Sequence, residues 1–214
     1  METAPDRSTA EFPIAQPPTF KPVSGENPVR MRLFVSIDLP DDFAEEVQQV
    51  QEHFADASGL SFTDPEQAHV TVKFLGEVNR GQLPRVKNAL RRAVGEAGVE
   101  PFEATYEGLG VFPSLGYIQV VWLGVSEGDE EMTRLHEAVE DEVTKLGFDP
   151  EDHDFTPHVT LARMEHAGGK ELVQENVEEL EPIVGTTEVG EIRLTKSELT
   201  DEGPEYSTVE SYSL

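Results

Sequence analysis

Hydrophobic and polar positions along residues 31–213 spell strands and helices in turn. Arg32-Leu33-Phe34-Val35-Ser36-Ile37-Asp38 is a β-rich run stopped by Pro40, which suits the first turn of a helix. From Asp41 to Ala57, the apolar residues Phe43, Val47, Val50 and Phe54 recur at helical spacing. His69 to Leu75 reads as the next strand, and Asn79 suits the cap of a helix running to about Gly98 through Leu83, Val86, Leu90 and Val94. Strands near 101–112 and 116–125 follow, separated by the turn Pro113-Ser114-Leu115-Gly116. A helix over Asp129 to Leu146 carries Met132, Leu135, Val139 and Val143 on one stripe. A strand at His158, a helix near Lys170 to Leu180 and a closing pair near 184–199 and 205–213 complete the pattern.

The order of elements repeats. A strand centred near Phe34 leads through a helix to His69, and a strand centred near Val121 leads through a helix to His158, over 35 and 37 residues. The expected fold is therefore α+β: two pseudo-symmetric lobes of mostly antiparallel sheet facing a central cleft, with helices outside. Residues 1–30 hold six of the 15 prolines and no periodicity, so they are expected to form a disordered extension. Residues 31–214 then make one bilobal domain.

Composition narrows the setting. The most apolar stretch, Val120 to Val125, falls far short of the roughly 20 residues of a membrane span, so no membrane partner is expected. The opening METAPDRSTA has no basic start followed by an apolar block, so no signal peptide is expected and the address reads as cytoplasmic. With no cysteine, disulfides, zinc-thiolate sites and cysteine nucleophiles are excluded. The 43 acidic residues outweigh 16 Lys plus Arg to give a net charge of −27. The acid is not a tail: residues 1–30 carry a net −1, which leaves −26 on residues 31–214. Such a surface repels itself in dilute salt and is relieved near 1 M, where screening shortens to roughly 3 Å, so a halophilic protein is expected.

One frame occurs twice: His69-Val70-Thr71-Val72 and His158-Val159-Thr160-Leu161. Side chains alternate across a strand, so His69, Thr71 and Lys73 are expected on one face, with Val70, Val72 and Phe74 turned towards helices. His158 and Thr160 share a face likewise, with Val159 and Leu161 behind them. Arg163 has the opposite parity to His158 and reaches the same face only if the strand bends there. An imidazole exchanges a proton near neutral pH, and a neighbouring hydroxyl can hold an anionic oxygen. Two such sets across a cleft suit in-line displacement at phosphorus, one imidazole taking a proton and the other giving one. Neither histidine has a carboxylate or second histidine at metal-ligand spacing, so no metal and no cofactor is expected. Taken singly, the histidines could be buried strand residues and Thr71 and Thr160 simple β-formers; the duplication favours a site. Phe34 reads either as core or as a base-stacking residue. His53, His136, His153 and His166 read as surface or core.

The two frames, with MRLFVSIDLP at residues 31–40, HVTVKFLGEV at 69–78 and PHVTLAR at 157–163, resemble the two-histidine (2H) phosphoesterases. Within that superfamily they are most similar to the LigT-like RNA 2′,3′-cyclic phosphodiesterases, also called 2′-5′ RNA ligases. The resemblance spans residues 31 to about 213. It implies a bilobal α+β fold and metal-independent opening of a terminal 2′,3′-cyclic phosphate to a 2′-phosphate, with reversible 2′-5′ joining in some members. By position it makes His69 and His158 the acid–base pair and Thr71 and Thr160 the phosphate holders; near-symmetry leaves the two roles open, with His69 taken as donor and His158 as acceptor. Lys73 and Arg163, rare cations beside the histidines in an acidic chain, and Phe34 are candidate substrate contacts. The implied partner is an RNA end bearing a 2′,3′-cyclic phosphate, and a monomer is expected. The rival readings are a phosphodiesterase of the same fold acting on a small cyclic nucleotide or 2′-5′ oligonucleotide, and a non-catalytic RNA-end binder.

Overall fold

A computed structural model of the protein describes residues 30–201 and 203–214; the extension expected over residues 1–30 lies, but for Arg30, outside them. The elements run β1 (Arg30–Asp38), α1 (Ala44–Glu52), β2 (Leu60–Phe62), β3 (His69–Asn79), α2 (Leu83–Ala97), β4 (Phe102–Ser114) and β5 (Tyr117–Glu127). Then come α3 (Asp129–Thr144), β6 (His158–Met164), α4 (Lys170–Glu179), β7 (Ile183–Val189), β8 (Glu191–Thr200) and β9 (Gly203–Ser213).

The strands form one strongly curled antiparallel sheet in the order β7-β4-β5-β6-β3-β1-β8-β9, with β2 added beside β6. The two related halves expected from the repeat are both present. In one half β3 pairs with β1, and in the other β6 pairs with β5. The halves join edge to edge where β3 meets β6, through the single aligned pair Val70 and Val159. Beyond that pair the two central strands have no aligned residues, and the curl of the half-barrel sheet makes the cleft.

The helices cover the face towards which Val70, Val72, Val159 and Leu161 point. These four residues are buried in a core shared with Val86 and Leu90 of α2 and with Leu135, Val139 and Val143 of α3. Each such side chain contributes about 1.5–3 kcal/mol through removal from water. A smaller core joins Phe54, Ala57, Ile118, Val121 and Val173, and so fixes the segment after α1 and helix α4. Helix α2 ends as its sequence suggests, at Gly98 in the left-handed conformation (φ 57°).

Four elements depart from expectation. Helix α2 starts at Leu83 after a 3-10 turn over Arg80–Gln82, so Asn79 does not cap it. The helix expected to reach Ala57 ends at Glu52, where Gln51 turns inward and its Nε2 donates to the carbonyls of Thr63 and Leu161, each at 2.9 Å. β2 has only three residues, too few for any period to show. The expected strand over 184–199 is two strands, β7 and β8, divided at Gly190. Among the described residues, no helix is long and apolar enough to cross a membrane.

Candidate active site

His69 and His158 open the two central strands, each at the first position. His69 Nδ1 lies 2.8 Å from the Gln67 carbonyl oxygen, and His158 Nδ1 lies 2.7 Å from that of Thr156. A carbonyl only accepts, so each Nδ1 carries the proton and donates it. Each Nε2 is therefore left free, bare when the ring is neutral and protonated when it is charged, and the backbone two residues upstream fixes the neutral tautomer. Thr71 and Thr160 follow, half-buried, on the same face as their histidines.

Past the threonines both strands break their alternation in the same way. Val35 faces Lys73 while Ser36 faces Thr71, so β3 carries Val72 as an extra residue. Val121 faces Ala162 while Trp122 faces Thr160, so β6 carries Leu161 as an extra residue. A bulge of this kind reverses every later side chain. The burial patterns agree: Val72 and Lys73 are consecutive buried residues, as are Leu161 and Ala162, and Phe74 and Arg163 are exposed. Arg163 thus returns to the face of His158 and Thr160, the bend its parity required.

Lys73 goes the other way. Expected beside His69 as a substrate contact, it is only 3% exposed and lies on the helix side, with Nζ 2.7 Å from Glu140 and 3.4 Å from Glu151. The bulge at Val72 is the reason. For the same reason Phe74, expected among the helices, stands 53% exposed on the histidine side.

Aromatic rings back each imidazole. His69 meets Phe34 at 5.0 Å and Tyr206 edge-on at 5.1 Å; His158 meets Phe112 at 4.9 Å and Trp122 at 6.1 Å. Phe34 is 2% exposed beneath His69, Phe74 and Tyr206, so it floors the site, whereas Phe74 and Tyr206 present rings to the cleft. The Tyr206 amide donates to Gln67 Oε1 at 2.9 Å, so one residue places both this ring and His69. Trp122 lies flat on Gly110: a Cβ there would come within 2.1 Å of the indole. Nothing in the sequence period marks Tyr206 or Phe112; the glycine opposite Trp122 is the one local sign of a ring laid against backbone.

The halves differ in charge. Asp38 stands opposite His69, whereas Gly124 stands opposite His158. A side chain at position 124 would strike the Glu107 carbonyl, 2.8 Å from its Cβ, so no carboxylate fits there. Asp38 is held at both oxygens, by the Ser36 hydroxyl at 2.8 Å and by Arg193 Nη1 at 2.7 Å. Burial pushes the His69 imidazole below its ordinary value, against the Gln67 carbonyl and the Asp38 carboxylate, which favour its cation. Burial also lowers His158; the Thr156 carbonyl opposes this, and the charges of Arg163 and His69 add to it. Among the described residues, no three histidine, aspartate or glutamate side chains gather as metal ligands.

The sequence model of the 2′-5′ RNA ligase superfamily matches residues 39–201. The RNA 2′,3′-cyclic phosphodiesterase of Methanothermobacter thermautotrophicus is 37% identical over 87% of this chain and all of its own. That of Archaeoglobus fulgidus is 37% identical over 82% of this chain and 96% of its own. The crystal structure of TT0787 of Thermus thermophilus superposes with a TM-score of 0.71 at 30% identity, covering 86% of this chain and 98% of that one. The fold is also that of E. coli LigT complexed with 3′-AMP, with a TM-score of 0.71 at 24% identity over 87% and 99% of the chains.

Proposed function

The chain belongs to the 2′-5′ RNA ligase superfamily, and we propose that it is an RNA 2′,3′-cyclic phosphodiesterase in which His158 is the general base and His69 the general acid. The observation that carries this is the pair of tautomer-locked imidazoles opening the two central strands of one cleft.

In this reading His158 Nε2 takes a proton from water as the water oxygen attacks phosphorus. The bond from phosphorus to O3′ breaks in line, and the Nε2 proton of cationic His69 passes to O3′. The product is a 2′-phosphate and a 3′-hydroxyl. The roles follow the local charge: Asp38 favours the cation on His69, and Arg163 favours neutral His158. Thr71, Thr160 and Arg163 hold the non-bridging oxygens. The exposed ring of Phe74 and the half-buried ring of Tyr206 take the terminal base, in place of Phe34, which is covered. The step needs two imidazoles and a water and no further group. If the 5′-hydroxyl of a second RNA replaces water, the same transfers make a 2′-5′ bond. Both histidines lie in one chain, which supports a monomer, and we place the protein in the cytoplasm.

The test is end-group analysis on a short RNA with a 2′,3′-cyclic phosphate. The expected product is the 2′-phosphate, and His69→Ala and His158→Ala each lower the rate at least about 10²-fold. Retained turnover in either variant would refute the two-histidine step. Binding without turnover would make the protein an RNA-end binder, and turnover of cyclic mononucleotides alone would move the substrate to that class.

A further inference from the structure

Lys73 and His136 are both buried, both ionisable, and neither faces the cleft. They mark one continuous set of contacts. From β3, the Lys73 ammonium forms ion pairs with Glu140 of α3 and Glu151 of the α3–β6 loop, and donates to the Asp149 carbonyl at 3.1 Å. Glu140 Oε1 in turn accepts the Glu151 amide at 2.7 Å. Burial opposes ionisation of Glu140, but Lys73 and that amide outweigh it and hold the carboxyl below its ordinary value. One turn earlier on α3, His136 Nδ1 donates to the Val72 carbonyl at 2.7 Å, and its ring lies parallel on Phe155 with centroids 4.3 Å apart. Phe155 adjoins Thr156, whose carbonyl fixes His158.

A buried ion pair replaced whole by apolar residues often leaves a protein equally or more stable, whereas removal of one partner alone is costly. Stability is therefore a poor account of Lys73. Its contacts instead tie the loop before His158 to the strand that carries His69.

We propose that Lys73, Glu140 and His136 are positioning residues: they anchor the α3–β6 loop so that the Thr156 carbonyl holds His158 with its proton on Nδ1 and Nε2 free. The consequence for turnover rests on the proposed role of His158 as base. The structural half does not, because the tautomer can be read without substrate.

The experiment uses the ¹⁵N-labelled full chain in molar KCl, with long-range ¹H–¹⁵N spectra of the histidine rings and kinetics on cyclic-ended RNA. In the native protein both His69 and His158 show a single Nδ1–H form when neutral. In Lys73→Met the His158 ring becomes a mixture of tautomers while His69, held by Gln67, does not. kcat falls at least about tenfold, with KM within about twofold. Phe155→Leu removes the stack on His136 without unpairing a buried charge, shows the same change at His158, and carries the test alone if Lys73→Met does not fold. The proposal is overturned if folded variants keep the native His158 tautomer and kcat, or if His69 changes along with His158, the sign of general loosening. A native protein with the expected tautomers but no turnover would sink the functional reading and not this one.

Discussion

Asp38 and Gly124 occupy matching places in the two halves, and the acid and base roles rest on that difference. Both imidazoles lie below their ordinary value of 6.5. The base must start neutral and the acid charged, so the free-enzyme profile of kcat/KM is expected to be a bell with its optimum on the acid side of that value. Its alkaline limb reports loss of the His69 proton. Asp38→Asn removes a charge that favours the cation, so the His69 pKa falls further and the alkaline limb moves to lower pH, while the acidic limb, set by His158, stays. A profile of kcat/KM against pH checks this, and an unmoved alkaline limb would detach Asp38 from the role. The histidines and threonines were legible in sequence because a two-residue period needs nothing beyond the strand itself. Asp38 and Tyr206 were not, since their relation to His69 is made by neighbouring strands.

At the scale of the element, the informative feature is the pair of bulges. Strict alternation places Lys73 on the cleft face and Arg163 off it; one extra residue just past each threonine reverses both. A bulge depends on what the paired strand offers, so β3 and β6 read alone could not show it, although the repeated frame did show that the two strands would behave alike. Long elements such as α2, α3 and the β4–β5 hairpin were visible because their core faces repeat over many residues. The three-residue β2 carries no period, and Gly190 interrupts one apolar run to make two strands. Gly110 offers an element-scale test. Its added methyl in Gly110→Ala would meet the rigid indole of Trp122, so the ring must tilt away from the strand and from His158. The expected cost is about 1–3 kcal/mol of stability, as for other overpacked sites. Trp122 is the sole tryptophan of the chain, so denaturant melts followed by fluorescence read both the loss and the ring's new surroundings. Unchanged emission and midpoint would mean that the ring does not rest on the glycine.

Across the whole molecule, a net charge of −27 surrounds a site proposed to bind a polyanion. Carboxylates claim eight of the described cations: Lys73, Lys87, Arg91, Arg92, Arg134, Lys145, Arg193 and Lys196 each have an acidic partner. Arg163 has none within ion-pair distance among the described residues, and it acts on both His158 and Tyr206. The net charge makes the long-range field repulsive to phosphate, so attraction rests on local cations such as Arg163. A nucleic-acid binder that releases counterions weakens steeply as salt rises. Here salt screens a repulsion instead, and it leaves contacts of a few ångströms largely intact. The catalytic efficiency is expected to rise or stay level from about 0.2 to about 2 M KCl, and the fold to loosen below that range as the acidic surface repels itself. Longer RNAs should gain nothing over a dinucleotide, because the strong net negative charge repels the added phosphates. Turnover and KM on dinucleotide and longer cyclic-ended RNAs across the salt series, with circular dichroism at each point, decide the matter. A protein that stays folded in dilute salt, prefers long RNA and loses affinity steeply as KCl rises would show that local cations, and not screening, govern its encounter with RNA.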